Sequence, residues 1–112
     1  MLLGATGLFY PKRLRAISAI EKAVCEWPDM RVGSHRFGGI GFFFREKECS
    51  HIHGNGLLDC FVGGANRDAL IASGRALPHH VFPNSGWISF WIEDENDLGA
   101  AMELIRIANE AK

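Results

Sequence analysis

The sequence of 112 residues lacks an excess of charge of either sign. Lys and Arg together number 12 and Asp and Glu number 13, so the formal net charge is −1. A domain that binds the phosphate backbone of a nucleic acid is normally basic, and anionic membranes attract basic clusters. The apolar runs of this sequence are also shorter than the roughly 20 residues of a membrane-spanning helix. We therefore expect neither a nucleic-acid partner nor a membrane location.

Cysteine is scarce, and no CxxC pair is present. Cys25, Cys49 and Cys60 are odd in number and far apart in the sequence, which favours reduced thiols in the cytosol over a disulfide framework. The weakly apolar residues 1–10 precede a basic stretch, which is the reverse of the order in a secretion signal. We therefore expect a cytoplasmic protein.

The length is typical of a single domain, which we place at residues 11–112 after an N-terminal tail at residues 1–10. The tail contains Gly4 and Gly7, as in the first turn of a dinucleotide-binding motif. It lacks the preceding strand and the third glycine that this motif requires. The sequence therefore does not identify a cofactor.

What is present is a clear change of hydrophobic period along the chain. Spacings of three and four predict a helix over residues 11–27 and another over residues 95–111, the latter with Asp94 and Asp97 in a capping box. Between them, alternation predicts six strands, at residues 32–37, 40–44, 48–53, 57–62, 77–82 and 87–92, and a short helix capped by Asn66 lies between the fourth and fifth strands.

These elements predict an α+β domain of two layers. Tight turns join consecutive strands, so the sheet is mostly antiparallel, and two amphipathic helices require one sheet face to cover them. We expect both helices to pack on the same face, against a set of alternating apolar side chains: Phe42, Phe44, Ile52, Phe90 and Ile92.

Polar residues suited to chemistry fall on the opposite, helix-free face. Ile52 belongs to the core face, so His51 and His53 point away from it. A three-residue loop at 54–56 would pair His51 with Asp59, whereas a two-residue loop would move Asp59 into the apolar layer. Because a buried, unpaired carboxylate is costly, we favour the three-residue loop.

The last predicted hairpin extends this histidine-bearing face. Trp87 and Trp91 lie on the same side of their strand, and we expect their side chains to line the histidine-bearing face. Adjacent strand residues point in opposite directions, so only one of His79 and His80 can join it, and we favour His80. The candidate ligand-binding residues are therefore His51, His53, Asp59, His80, Trp87 and Trp91.

Several interpretations of this set remain open. Our first is a small-ligand-binding or accessory domain. Our second is an enzyme that uses His51, His53 and Asp59, with or without a divalent metal, because a carboxylate can complete a metal site or orient an imidazole as general base. The histidine pair could also be purely structural, and the tryptophans could cover a homodimer interface. We assign no catalytic residue and no metal ligand.

A third function, nucleic-acid binding, would require the basic residues to gather on one surface. These residues are Lys12, Arg13, Arg15, Arg31, Arg36 and Arg45.

Several short segments also carry a family resemblance: Trp27-Pro28, His35–Gly39, His51–Gly54, Gly74–Ala76, Pro78–Val81 and Pro83–Trp87. Through them, from about Ile20 to Ala111, the chain resembles the small bacterial proteins of the luciferase family, and the run PHHVFPNSGW is its most distinctive part. The family label implies no bound flavin or luciferin, and no established activity comes with it.

The C-terminal half is also similar to the MmcQ/YjbR-type proteins, which share a hairpin ending in a tryptophan-bearing strand before an amphipathic helix. That resemblance implies a frataxin-like helix–sheet–helix layout. Members of that group are sometimes called DNA-binding, which fits poorly with a net charge of −1.

Overall fold

The segments of alternating hydrophobicity form one six-stranded antiparallel sheet in the computed structural model, which describes residues 2–34 and 38–111, with side chains from residue 11 onward. The strands are β1 (Met30–Ser34), β2 (Ile40–Phe44), β3 (Lys47–Ile52), β4 (Leu57–Phe61), β5 (Leu77–Pro78) and β6 (Trp87–Trp91). Their order across the sheet is β1-β2-β3-β4-β6-β5. The predicted strand number and antiparallel arrangement are confirmed.

Three α-helices accompany the sheet: α1 (Leu2–Val24), α2 (Gly64–Ala72) and α3 (Leu98–Glu110). The predicted start of the first helix was wrong, because α1 begins at Leu2 and continues through Pro11. Proline keeps a helical φ, so the helix continues at the cost of the hydrogen bond that the missing N–H would donate. The domain boundary at residue 11 stays a prediction, although α1 runs across it.

The caps of the two later helices differ in how well the sequence predicted them. Before α3, Asp94 and Asp97 form the expected capping box around a 3₁₀ turn. The cap of α2 is Gly63 rather than Asn66. Asn66 instead lies in the first turn, where its amide nitrogen donates to the carbonyl oxygen of Val62 at 3.0 Å.

One continuous core lies between the helices and one face of the sheet. It includes the inward faces of α1 and α3, which also contact each other. The two-layer α+β fold is thus confirmed, and of the predicted sheet contacts Phe42, Ile52 and Ile92 are fully buried, whereas Phe44 and Phe90 are partly buried at the margin. No helix within the described residues is long and apolar enough to cross a membrane. The cytoplasmic location stays a prediction.

The loop between β3 and β4 fixes which side chains reach the helix-free face. The loop has three residues, because the Leu57 carbonyl oxygen accepts from the N–H of His53 at 2.9 Å. Gly56 has a φ of 93°, and a Cβ there would lie 2.7 Å from the Ile92 carbonyl oxygen, so glycine is required in this turn. His51 consequently pairs with Asp59, as predicted.

The predicted strand over residues 77–82 is wrong beyond its first two residues. β5 ends at Pro78, and the chain then forms a loop that reaches β6 at Trp87. The side chain of Arg67, on α2, donates to the carbonyl oxygen of Pro83 and ties this loop to the domain.

Candidate functional site

A carboxylate lies at the centre of the helix-free face. Asp59 is in β4, between β3 and β6, and is only 1% exposed. Its Oδ1 accepts a hydrogen bond from the Ser89 hydroxyl at 2.6 Å. Its Oδ2 faces the Nε2 atoms of four histidines: His53 at 2.8 Å, His51 at 3.2 Å, His80 at 3.3 Å and His79 at 3.4 Å.

These contacts keep Asp59 ionised. Its burial raises the pKa of the carboxyl group, but the hydrogen bonds with His51, Ser89 and His53 outweigh that effect and hold the pKa well below its usual value of 3.8. The site therefore contains a fixed negative charge at neutral pH.

His79 has a different role from the other three histidines. Its Nδ1 accepts backbone hydrogen bonds from Val81 at 3.1 Å and Phe82 at 3.0 Å. Since Nδ1 is the acceptor, the proton of the neutral ring lies on Nε2, which faces Asp59. Burial lowers the pKa of His79, although Asp59 opposes this effect, and the ring stays neutral. His79 thus presents an N–H, rather than a lone pair, to the centre of the site.

Most of the predicted ligand-binding residues lie close together around Asp59. His51, His53 and His80 surround Asp59, and the ring of Trp87 lies 5.6 Å from that of His51. Trp91 is on the same face, opposite Leu57, but does not line the cavity that the described residues form above the cluster.

The sequence argument missed two residues of the cluster. Ser89 lies between the two tryptophans in the sequence and opposite Asp59 in the sheet, and the sequence argument did not include it in the site. The prediction that only one of His79 and His80 could point here was wrong, because both lie in a loop rather than a strand. Pro78 and Pro83 bracket this loop and were the available signal, since proline rarely occupies a strand interior.

The cluster opens into a cavity of about 300 Å³. Its walls comprise the four histidines, Asp59 and three apolar side chains, Val81, Phe82 and Trp87. No lysine or arginine is among the described residues that line it. The cavity is therefore lined in part by polar imidazole and carboxylate groups and in part by apolar side chains.

His51, His53 and Asp59 fit the requirements of a metal centre. Their ligand atoms lie within 4.8 Å of one another, and the two imidazole nitrogens are 3.2 and 2.8 Å from the same carboxylate oxygen. Two ligands that each lie about 2.1 Å from one tetrahedral ion would be about 3.4 Å apart. The His51 distance is close to this value, and the His53 distance would lengthen on binding. Asp59, His79 and His80 are also close together, but the N–H of His79 argues against that set.

A larger cavity of about 680 Å³ lies elsewhere, beside Trp27 and Phe44. Its two guanidinium groups already have acidic partners: Arg45 lies 3.3 Å from Asp29 and Arg106 lies 3.2 Å from Glu103. We therefore place the candidate site at the histidine cluster and not at the larger cavity.

Comparison with known proteins identifies the family. The family model of the Luciferase domain matches residues 46–108, more than half of the chain and every residue of the histidine cluster. No curated protein and no solved structure matches the chain. The similarity to MmcQ/YjbR-type proteins stays a prediction. On the evidence of the matched segment, the chain belongs to the Luciferase-domain family.

Proposed function

We propose that this chain binds a divalent transition-metal ion through His51, His53 and Asp59 and presents it to a small ligand in the cavity above. The observation that carries this proposal is the convergence of imidazole nitrogens on one buried, ionised carboxylate oxygen. Imidazole suits zinc, iron, nickel and copper, and two histidines with one carboxylate leave coordination positions open.

The exposure of the histidines supports binding over a purely structural network. The side chain of His53 is 30% exposed and that of His80 is 48% exposed, so both rings are accessible to a bound molecule. Both lie beside the cavity. His79 and Ser89, by contrast, are buried and hold the carboxylate in place, as residues behind metal ligands commonly do.

A metal-free general base is the second candidate function. It is favoured by the 2.8 Å contact between His53 Nε2 and Asp59, because a carboxylate that orients an imidazole also stabilises its protonated form. Nucleic-acid binding receives less support, since Arg31 pairs with Glu46 at 2.9 Å. Arg36 lies outside the described residues.

Isothermal titration of metal-free protein with zinc at about pH 7.5 tests the metal proposal. We expect one ion per chain and a rise in melting temperature, because zinc binds the native state. His53→Ala should abolish both effects. It should also lower the free energy of unfolding by about 1.5–3 kcal/mol, because it removes the 2.8 Å contact with the ionised Asp59.

Cys25→Ser is the matched control, because Cys25 is an exposed thiol outside the cluster and thiolates also bind zinc. This variant should bind zinc like the wild type. Absence of zinc binding by the wild type, or undiminished binding by His53→Ala, would refute the proposed site.

A further inference from the structure

We infer that the ligand of this site is a small organic monoanion, with its charged group on the metal and an apolar body against the cavity wall. An aromatic or short-chain carboxylate has this chemistry. The inference rests on the proposed metal site and adds the class of molecule that it would bind.

The charge of the metal-loaded site predicts the charge of its ligand. A divalent ion bound by neutral imidazoles and one carboxylate retains a single positive charge, and Asp59 is the one carboxylate among the described residues that line the cavity. A ligand with one negative charge neutralises that excess. A dianion such as a phosphate would require additional cations, which in proteins are usually Arg or Lys, and the described lining contains neither. An organic cation would be repelled.

The apolar side chains that line the cavity predict that the ligand has an apolar body. Phe82 and Val81 are 59% and 58% exposed, although both are large and apolar. Phe82 stacks on the ring of His79 at 5.6 Å, and Trp87 lines the same cavity beside His51. Apolar side chains concentrated around a polar centre are characteristic of ligand sites.

The distribution of exposed apolar side chains over the described residues supports the same conclusion. Leu14 is on α1, whereas the other large exposed apolar residues are on the helix-free face or in the loop above it: Phe61, Leu77, Val81, Phe82 and Trp91.

The volume of the cavity predicts the size of the ligand. A volume of about 300 Å³ is at the lower end of the range for small-molecule sites. It suits a single aromatic ring or a short acyl chain.

Benzoate is the probe, with acetate, benzyl alcohol, benzylamine and inorganic phosphate as comparisons. Each protein is first titrated with zinc, and each probe is then titrated into the zinc-loaded and metal-free forms by calorimetry, with tryptophan fluorescence as a second readout. We expect benzoate to bind the zinc-loaded form at least about tenfold more tightly than acetate or benzyl alcohol. Benzylamine and phosphate should bind more weakly than benzoate.

The variant Phe82→Ala distinguishes the contribution of the apolar cavity wall to ligand binding from the contribution of the metal. It should weaken benzoate binding by about tenfold or more and leave acetate binding on the zinc-loaded protein unchanged, because acetate does not reach the wall.

Each other outcome overturns a stated part of the reasoning. If zinc binds but benzoate binds no better than acetate, the apolar-body inference is wrong and the metal proposal stands. If phosphate or benzylamine binds best, the charge argument is wrong. If benzoate binds the metal-free form equally well, the ligand does not use the metal. If zinc itself does not bind, both proposals are wrong.

Discussion

Replacing Asp59 with asparagine is the most informative test of the cluster, because this substitution keeps the shape of the side chain and removes its charge. A hydrogen bond to a charged group contributes about 1.5–3 kcal/mol, whereas a neutral one contributes about 0.5–1.5 kcal/mol. The two shortest contacts of Asp59, with Ser89 at 2.6 Å and His53 at 2.8 Å, would both become neutral. We therefore expect Asp59→Asn to lower the free energy of unfolding by about 2–3 kcal/mol at neutral pH.

The loss should depend on pH with a defined sign. The folded pKa of Asp59 lies below the usual 3.8, so the unfolded state binds a proton first as the solution is acidified. The stability that the ionised carboxylate contributes is present in full above about pH 5 and is lost as the pH falls through the folded pKa. Asp59→Asn has no such contribution to lose, so the two proteins should approach the same stability in strong acid.

Urea denaturation followed by tryptophan fluorescence, at several pH values between about 7 and 2, measures both effects. Asp29→Asn is the matched control: Asp29 is exposed and has a φ of 65°, which asparagine tolerates. It should change stability by no more than about 0.5 kcal/mol. A difference between wild type and Asp59→Asn that is absent at neutral pH, or that is constant at every pH, would refute the assignment of a buried, ionised carboxylate.

Two further substitutions test the loop and the core. His79→Ala should cost about 2–4 kcal/mol because it removes the acceptor of the Val81 and Phe82 N–H groups, whereas His79→Asn should recover much of that loss. Because burial lowers the pKa of His79 from 6.5, wild-type stability should fall as the pH drops below about 6.5, and neither variant should show this decline; its persistence in both would contradict the neutral, buried ring. Ile105→Ala should cost about 2–5 kcal/mol in urea denaturation, since Ile105 is fully buried beneath the sheet, and a loss below about 1 kcal/mol would show that it does not support the core.

Hydrophobic period was sufficient to predict most of the fold. The number of strands, the capping box before α3 and the single covered face all follow from local spacing. The register of β3 and β4 required an energetic argument as well. Two loop lengths between His53 and Leu57 were compatible with the pattern, and only the cost of burying Asp59 in the apolar layer distinguished them. The structure has the register that this argument favoured.

The remaining parts of the site depend on tertiary contacts that cannot be predicted from the hydrophobic period of the sequence. His79 and His80 both reach Asp59 because β5 ends at Pro78 and the following loop turns back over the sheet. Two backbone N–H groups that donate to His79 Nδ1 stabilise this loop, and so does the hydrogen bond from Arg67 on α2. Period analysis assigned these residues to a strand, so it allowed only one of the two histidines to face the site.

The position of the cluster has an energetic consequence that favours binding over fold stability as its role. The helices cover one face of the sheet, and among the described residues the loop at 79–86 lies beside the site on the opposite face of β3, β4 and β6. At the centre of this face the chain places an ionised carboxylate, and desolvating such a group opposes folding by several kcal/mol before its hydrogen bonds are formed. Apolar side chains of similar volume would fill the same space without that cost. Hydrogen bonds within the cluster offset the desolvation of Asp59, but they do not explain why His53 and His80 remain open to the cavity. A molecule bound in the cavity would contact both imidazoles and add stabilisation only in the bound state, as occurs in proteins whose binding sites are not optimised for stability.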